Sequence, residues 1–271
     1  MRLRISVGAG MEISLHYEET GEGEPLVLLH GNGEDGSYFS AQTAFFQKYY
    51  RVIAVDTRGH GKSPRGTAPF TMAQFAADLK GLLDGLGIRT AHLLGFSDGA
   101  NIAMTFALRY PEYLKSLILN GGNISPWGVK LSVQIPILLG YGLVSVIALF
   151  DRKAVLKKEI LGLMVHEPDI RPEELGRISA PALVIAGRKD MIRESHTRLI
   201  QKSIPGSRLC IMEGTHFIAA EKPEEFNQHI LGFLEPPGRN LFSRAADSGS
   251  ESVESESPGA AWSESVFESR R

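Results

Sequence analysis

Short, unbroken apolar runs punctuate the first 235 residues of this 271-residue chain, with helix-period segments between most of them. The runs are Leu26 to Leu29, Val52 to Val55, His92 to Leu94, Leu117 to Leu119, Ala182 to Ala186 and Leu209 to Ile211. A strand with one wet face alternates apolar and polar residues, so runs without alternation belong to strands buried on both faces. Helical patterns lie near residues 38–49, 72–86, 99–110, 191–203 and 223–234. A β-α-β-α rhythm of this kind requires a mostly parallel sheet with helices on both sides. Residues 3–7 and 12–18 do alternate, and read as two further strands at the edge of the sheet, eight in all.

Composition agrees with a packed domain: 43% apolar and 22% charged residues lie near globular averages and exclude collagen, coiled coil and wholesale disorder. Lysine and arginine total 29 against 31 acidic residues, a net charge of −2 with no basic run, which excludes the electrostatic footprint of a nucleic-acid binder. Cys210 is the single cysteine and can close no intramolecular disulfide. The N-terminus has no apolar run of the signal-peptide kind, so the expected location is cytoplasmic. Residues 236–271 differ: 9 Ser, 6 acidic residues and only 10 apolar residues follow Pro236-Pro237-Gly238. Such a segment cannot bury enough apolar surface to offset its ordering entropy, and a disordered tail is expected there, with residues 1–235 as the folded domain. Trp262 and Phe267 are the residues of the tail that could make it a docking peptide.

Leu131 to Phe150 carries no charge over 20 residues, long enough to span a bilayer. Gln134, Pro136, Gly140 and Gly142 interrupt it, and it falls where the α/β rhythm pauses between the runs at 117–119 and 182–186. The expectation is a small helical lid, inserted at about residues 124–172, and not a membrane span. Ile135, Leu138, Leu139, Leu143, Val146, Ile147 and Phe150 recur at helical spacing and are expected to line an acyl chain.

Gly95-Phe96-Ser97-Asp98-Gly99 matches G-x-S-x-G directly after an apolar run and before a helical pattern. The pattern is short enough to arise by chance, and its context gives it weight. A nucleophile elbow needs a strand that stops, a strained turn that lifts the serine hydroxyl, and small neighbours that let helix and strand approach. Further pieces lie in order along the chain: His30-Gly31-Asn32-Gly33, Asp56-Thr57-Arg58-Gly59-His60-Gly61-Lys62-Ser63, Gly187-Arg188-Lys189-Asp190 and Gly214-Thr215-His216-Phe217. With these motifs, residues 1–235 resemble the α/β-hydrolase family, which implies an α/β fold, a serine nucleophile, a carboxylate and a histidine in that chain order.

Carried onto these positions, the resemblance makes Ser97 the nucleophile, His216 its base and Asp190 the carboxylate that orients the imidazole. His16, His92, His196 and His229 fall in strand or helix patterns and are less well placed than His216. The alternative acid position, Asn120-Gly121-Gly122-Asn123, holds no carboxylate. The backbone N–H groups of Asn32 and Asp98 are implied as the oxyanion hole. His30 is expected to shape its loop, and Asp56 to Ser63 to form a structural turn.

Two other motifs compete. Gly31-Asn32-Gly33-Glu34-Asp35-Gly36 fits the dinucleotide fingerprint, with Asp56 20 residues beyond the motif's end, but Glu34 and Asp35 would repel a pyrophosphate. Asp56 to Ser63 ends like a phosphate-binding loop yet starts with Asp where that motif has Gly. No H-E-x-x-H motif or cysteine cluster implies a metal, and neither metal nor cofactor is expected. The expected reaction is hydrolysis of a carboxylic ester, thioester or lactone of a small to medium apolar acyl group, its partner a small-molecule substrate. The carbon–carbon-cleaving branch usually carries Asn before the elbow and Trp after the histidine, whereas here Gly95 opens the elbow and Phe217 follows His216. Acyl transfer or perhydrolysis on the same triad and a non-catalytic ligand-binding relative remain alternatives, and the sequence leaves the oligomeric state open.

Overall fold

A computed structural model of the protein describes residues 13–235. The strand expected over 3–7 and the tail from 236 onward lie outside the described residues. Seven of the eight expected strands are present. They are β1 (Tyr17–Thr20), β2 (Pro25–Leu29), β3 (Arg51–Val55), β4 (Ala91–Phe96), β5 (Leu114–Asn120), β6 (Ala182–Gly187) and β7 (Arg208–Met212). Their order across the sheet is β1-β3-β2-β4-β5-β6-β7, antiparallel for β1 on β3 and parallel elsewhere. The alternation over 12–18 is real at Ile13, Leu15 and Tyr17, all buried, but the ladder with β3 begins only at Tyr17.

The central strands read as they do because both faces are covered. Every residue of β4 is buried, as are Leu26 to Leu29 of β2. The covering helices α1 (Ser40–Phe46), α2 (Met72–Gly85) and α3 (Asp98–Arg109) follow β2, β3 and β4 in turn. In α2, Thr71 Oγ1 accepts from Gln74 N (3.1 Å), an N-cap, while Phe75, Leu79, Leu82 and Leu83 form its buried face.

The insertion between β5 and β6 begins with a tight turn at Pro126–Gly128 and holds α4 (Leu131–Ile147), α5 (Lys153–His166) and α6 (Pro172–Leu175). After β6 come α7 (Glu194–Ser203), and after β7 come α8 (Ile218–Glu221) and α9 (Pro223–Leu234). The α5 helix is fastened to the domain: Arg65 Nε donates to Glu159 Oε2 (2.9 Å), and Leu163 is buried in the main core. The α4 helix is the outer layer. Its Gln134 Nε2 donates to Met164 O (3.1 Å) and its Tyr141 ring packs on His166 with centroids 5.2 Å apart.

This packing corrects one expectation. Ile135, Leu138, Leu139, Leu143, Val146, Ile147 and Phe150 do not turn inward to line an acyl site; all seven are exposed, and only Gln134 and Val144 of α4 are buried. Among the described residues no helix is long and apolar enough to cross a membrane.

Candidate active site

The chain runs from β2 outward to β3 and then crosses back to β4 on the other side of β2, so the strand order reverses between β2 and β4. In open α/β sheets the crevice at the carboxyl ends of the strands beside such a switch is where ligands bind. Four of these ends supply the expected residues: Asn32 follows β2, Ser97 follows β4, Asp190 follows β6 and His216 follows β7.

Ser97 is the one non-glycine residue with positive φ among the described residues, at φ 53° and ψ −118°. A residue held there is strained, and it persists only where its surroundings over-determine it. The glycines on either side show how. A Cβ on Gly95 would lie 2.2 Å from Gly99 O, and one on Gly99 would lie 1.9 Å from Leu29 O. Strand β4, the first turn of α3 and the end of β2 therefore approach as only glycines allow. The Ser97 amide is held in turn by Asn120 O (2.8 Å) at the end of β5.

His216 Nδ1 lies 2.7 Å from Asp190 Oδ1, and both side chains are buried. Donation from Nδ1–H to the carboxylate selects the tautomer whose Nε2 carries a lone pair. That Nε2 is buried without a hydrogen-bond partner. Asp190 Oδ1 also accepts from Ile192 N (2.8 Å), which holds the carboxylate in place. The start of the insertion is tied to the same loop: Lys130 N donates to Met191 O (2.9 Å), and Lys130 Nζ donates to Asp190 O. The Phe96 ring, next to Ser97 in the chain, lies 4.8 Å from the His216 ring.

Gly121 completes the seat and escaped the sequence reading. A Cβ there would stand 2.7 Å from His216 Cε1, so the imidazole rests directly on the backbone after β5. Its position next to Asn120, whose carbonyl holds Ser97 N, draws serine and histidine toward one point. A glycine pair ending a buried strand was its visible signal; nothing in the sequence connects it to residue 216.

The two residues implied for the oxyanion hole are joined through their side chains. Asp98 opens α3, so its N–H has no partner within the helix and sits at the positive end of the helix dipole. Asn32 Nδ2 donates to Asp98 Oδ2 (2.8 Å) and to Ile160 O of α5 (2.8 Å), which binds the β2 loop, the elbow and the insertion to one another. Burial raises the Asp98 carboxyl above the ordinary Asp value, against hydrogen bonds from Asn32 and Asn101 that lower it. Glu34 is raised likewise by burial.

The competing motifs have other uses. Glu34 Oε2 accepts from Gly31 N (3.0 Å), Asp35 Oδ1 from Ser37 N (2.9 Å) and Asp56 Oδ1 from Gly36 N (2.8 Å). Backbone donors that a pyrophosphate would need are thus occupied by the chain's own carboxylates. The Asp56 to Ser63 stretch is a turn knit by Lys62 N to Asp56 Oδ2 (2.8 Å) and Ser63 Oγ to Asp56 O (2.6 Å), with Arg58 buried against Asp78. His30 shapes its loop: Nδ1 lies 2.7 Å from Gly31 O, and Nε2 accepts from Thr57 N (3.0 Å). Among the described residues no three His, Cys, Asp or Glu side chains form a metal-binding group.

A family model for the alpha/beta hydrolase fold matches residues 24–144. The 2-hydroxy-6-oxononadienedioate/2-hydroxy-6-oxononatrienedioate hydrolase of Paraburkholderia phymatum is 33% identical, over 83% of this chain and 92% of its own length. The chain belongs to the alpha/beta hydrolase family. The human serine hydrolase BPHL is 31% identical over 82% of this chain and 84% of that protein. Among solved structures, a hydrolase from Pseudomonas aeruginosa PA01 superposes with a TM-score of 0.71 at 27% identity, covering 87% of this chain and 99% of that one. With such relatives, this α/β-fold protein is a hydrolase.

Proposed function

We propose that this hydrolase acts through a Ser97 acyl-enzyme on a carboxylic ester, thioester or lactone of a small to medium apolar acyl group. The observation that carries the reading is His216, fixed by Asp190 through Nδ1, with an unpartnered, buried Nε2 and its ring against Phe96 of the strained elbow. Nε2 takes the Ser97 hydroxyl proton as Oγ attacks the acyl carbon. The backbone N–H groups of Asn32 and Asp98 receive the developing oxyanion, a contribution of about 3 kcal/mol per donor in other acyl-transfer sites. His216 then protonates the leaving oxygen or sulfur and deprotonates the water that releases the acid. The rings of Phe96 and Phe217, with centroids 4.8 Å and 5.5 Å from that of His216, supply apolar surface for the acyl group.

The test is a series of p-nitrophenyl esters from acetate to octanoate with wild type, Ser97→Ala and Asp190→Asn. Ser97→Ala is expected to fall below about a thousandth of the wild-type kcat, and Asp190→Asn to lose on the order of 10³–10⁴-fold. Stability should stay within about 1–2 kcal/mol for both. Retention of more than about 5% of the rate by Ser97→Ala would overturn the nucleophile assignment.

A further inference from the structure

Ten of the thirteen large apolar side chains that are exposed among the described residues lie between Trp127 and Phe150. Soluble monomers scatter such residues singly, and a contiguous patch marks an interaction surface. Here the patch is continuous. At 3.6 residues per turn, Leu131, Ile135, Leu138, Leu139, Leu143, Val146 and Ile147 fall within about half the circumference of α4, opposite the Gln134, Tyr141 and Val144 side that meets α5. The face runs the full helix, about 26 Å for its 17 residues. It ends on Leu149 and Phe150, 75% and 88% exposed, and it begins beside Trp127, 68% exposed.

Charge decides what can cover it. No acidic residue lies from Lys130 to Phe150, and Arg152, Lys153, Lys157 and Lys158 follow Phe150 closely. None of these four is in an ion pair among the described residues, and Arg152, Lys153 and Lys157 are exposed. The one acid between, Asp151, accepts from Lys153 N (2.8 Å) at the start of α5, and Glu159 is paired with Arg65. An apolar face flanked by cations is the pattern of a helix lying in a lipid interface, apolar side in the acyl boundary and cations among anionic headgroups. A second copy would bring the same uncharged helix and the same cations, with Asp151 as the one carboxylate between Lys130 and Lys158 to meet them.

We propose that the outer face of α4, with Leu149, Phe150 and the Arg152 to Lys158 cations, docks the enzyme peripherally on an anionic lipid surface. The inner side of α4 stays packed on α5, so the helix lies in the interface and does not span it.

The full chain is tested by co-sedimentation with phosphatidylcholine vesicles, with and without phosphatidylserine, at low and high salt. Binding to the anionic vesicles, weakened by salt and by removal of phosphatidylserine, is expected. A Leu149→Glu/Phe150→Glu variant should bind at least about tenfold more weakly, since each apolar side chain withdrawn from the interface is worth about a factor of ten. Lys153→Gln/Lys157→Gln should lower only the phosphatidylserine-dependent part. Both variants change exposed side chains, and thermal melting with hydrolysis of soluble p-nitrophenyl acetate shows that each is folded. No binding to either vesicle, equal binding to both, or an oligomer in solution that the Leu149→Glu/Phe150→Glu variant dissolves would overturn the proposal, the last assigning the face to a second copy.

Discussion

Gly121→Ala should separate catalytic geometry from stability. Gly121 has φ +63°, where an L-residue costs about 1 kcal/mol relative to glycine. The new methyl carbon would lie 2.7 Å from His216 Cε1 and 2.8 Å from Nδ1. Ordinary contacts of this kind run near 3.5 Å, so the ring must retreat by roughly 0.7 Å. The retreat works against the 2.7 Å bond to Asp190 and against the Phe96 ring, 4.8 Å from the imidazole centroid. Displacing a catalytic group by about 1 Å can cost on the order of 10²-fold, so kcat should fall about 30- to 100-fold with little change in KM. The total loss of stability should be about 1–2 kcal/mol, seen as a fall in Tm of about 2–8 °C. Steady-state kinetics on p-nitrophenyl butyrate, beside thermal melting of the same preparation, measure both quantities. A variant that kept its rate within about threefold while losing the expected stability would refute the claim that backbone contact at residue 121 sets the imidazole's position.

Two further outcomes follow from the same structure. Gly99→Ala places a Cβ 1.9 Å from Leu29 O in a central strand, where backbone cannot give way, so it should cost more than about 4 kcal/mol or prevent folding. Gly33→Ala, at φ +75° with nothing within 4 Å, should cost only about 1 kcal/mol, and equal urea midpoints for the two would refute the steric account. His30 is held neutral by burial, its pKa lowered to about 4 from 6.5, with Nε2 already accepting from Thr57 N. Between those values the unfolded chain binds a proton that the native state refuses, so this residue makes stability fall as pH drops from about 6.5 to about 4, by about 3 kcal/mol in total. Urea unfolding of wild type and His30→Asn across that window should show the steeper slope for wild type, the raised carboxyls acting alike in both; parallel slopes would show that His30 titrates normally in the folded protein.

The strands, the helices of the domain and the elbow were legible in the chain because each rests on short-range physics. A strand buried on both faces has no polar alternation to show, as in Leu26 to Leu29, and a strained turn at Ser97 must be flanked by glycines where strand and helix touch. The order of the motifs also placed Asn32 on the loop after β2 and Asp190 and His216 on the loops after β6 and β7. Other features depended on distance in sequence. Gly121 meets His216 across 95 residues, and Asn32 reaches Ile160 across 128, pairings that no local pattern encodes. The α4 helix shows the limit most plainly. Because it is apolar around nearly its whole circumference, hydropathy marked it as a helix in need of cover but could not say which side would get it. Packing on α5 made that choice, taking Gln134, Tyr141 and Val144 inward and leaving Leu139, Leu143 and Phe150 in the open. Local stereochemistry and hydropathy determine what a segment becomes, whereas the face it buries is decided by the surface against which it folds.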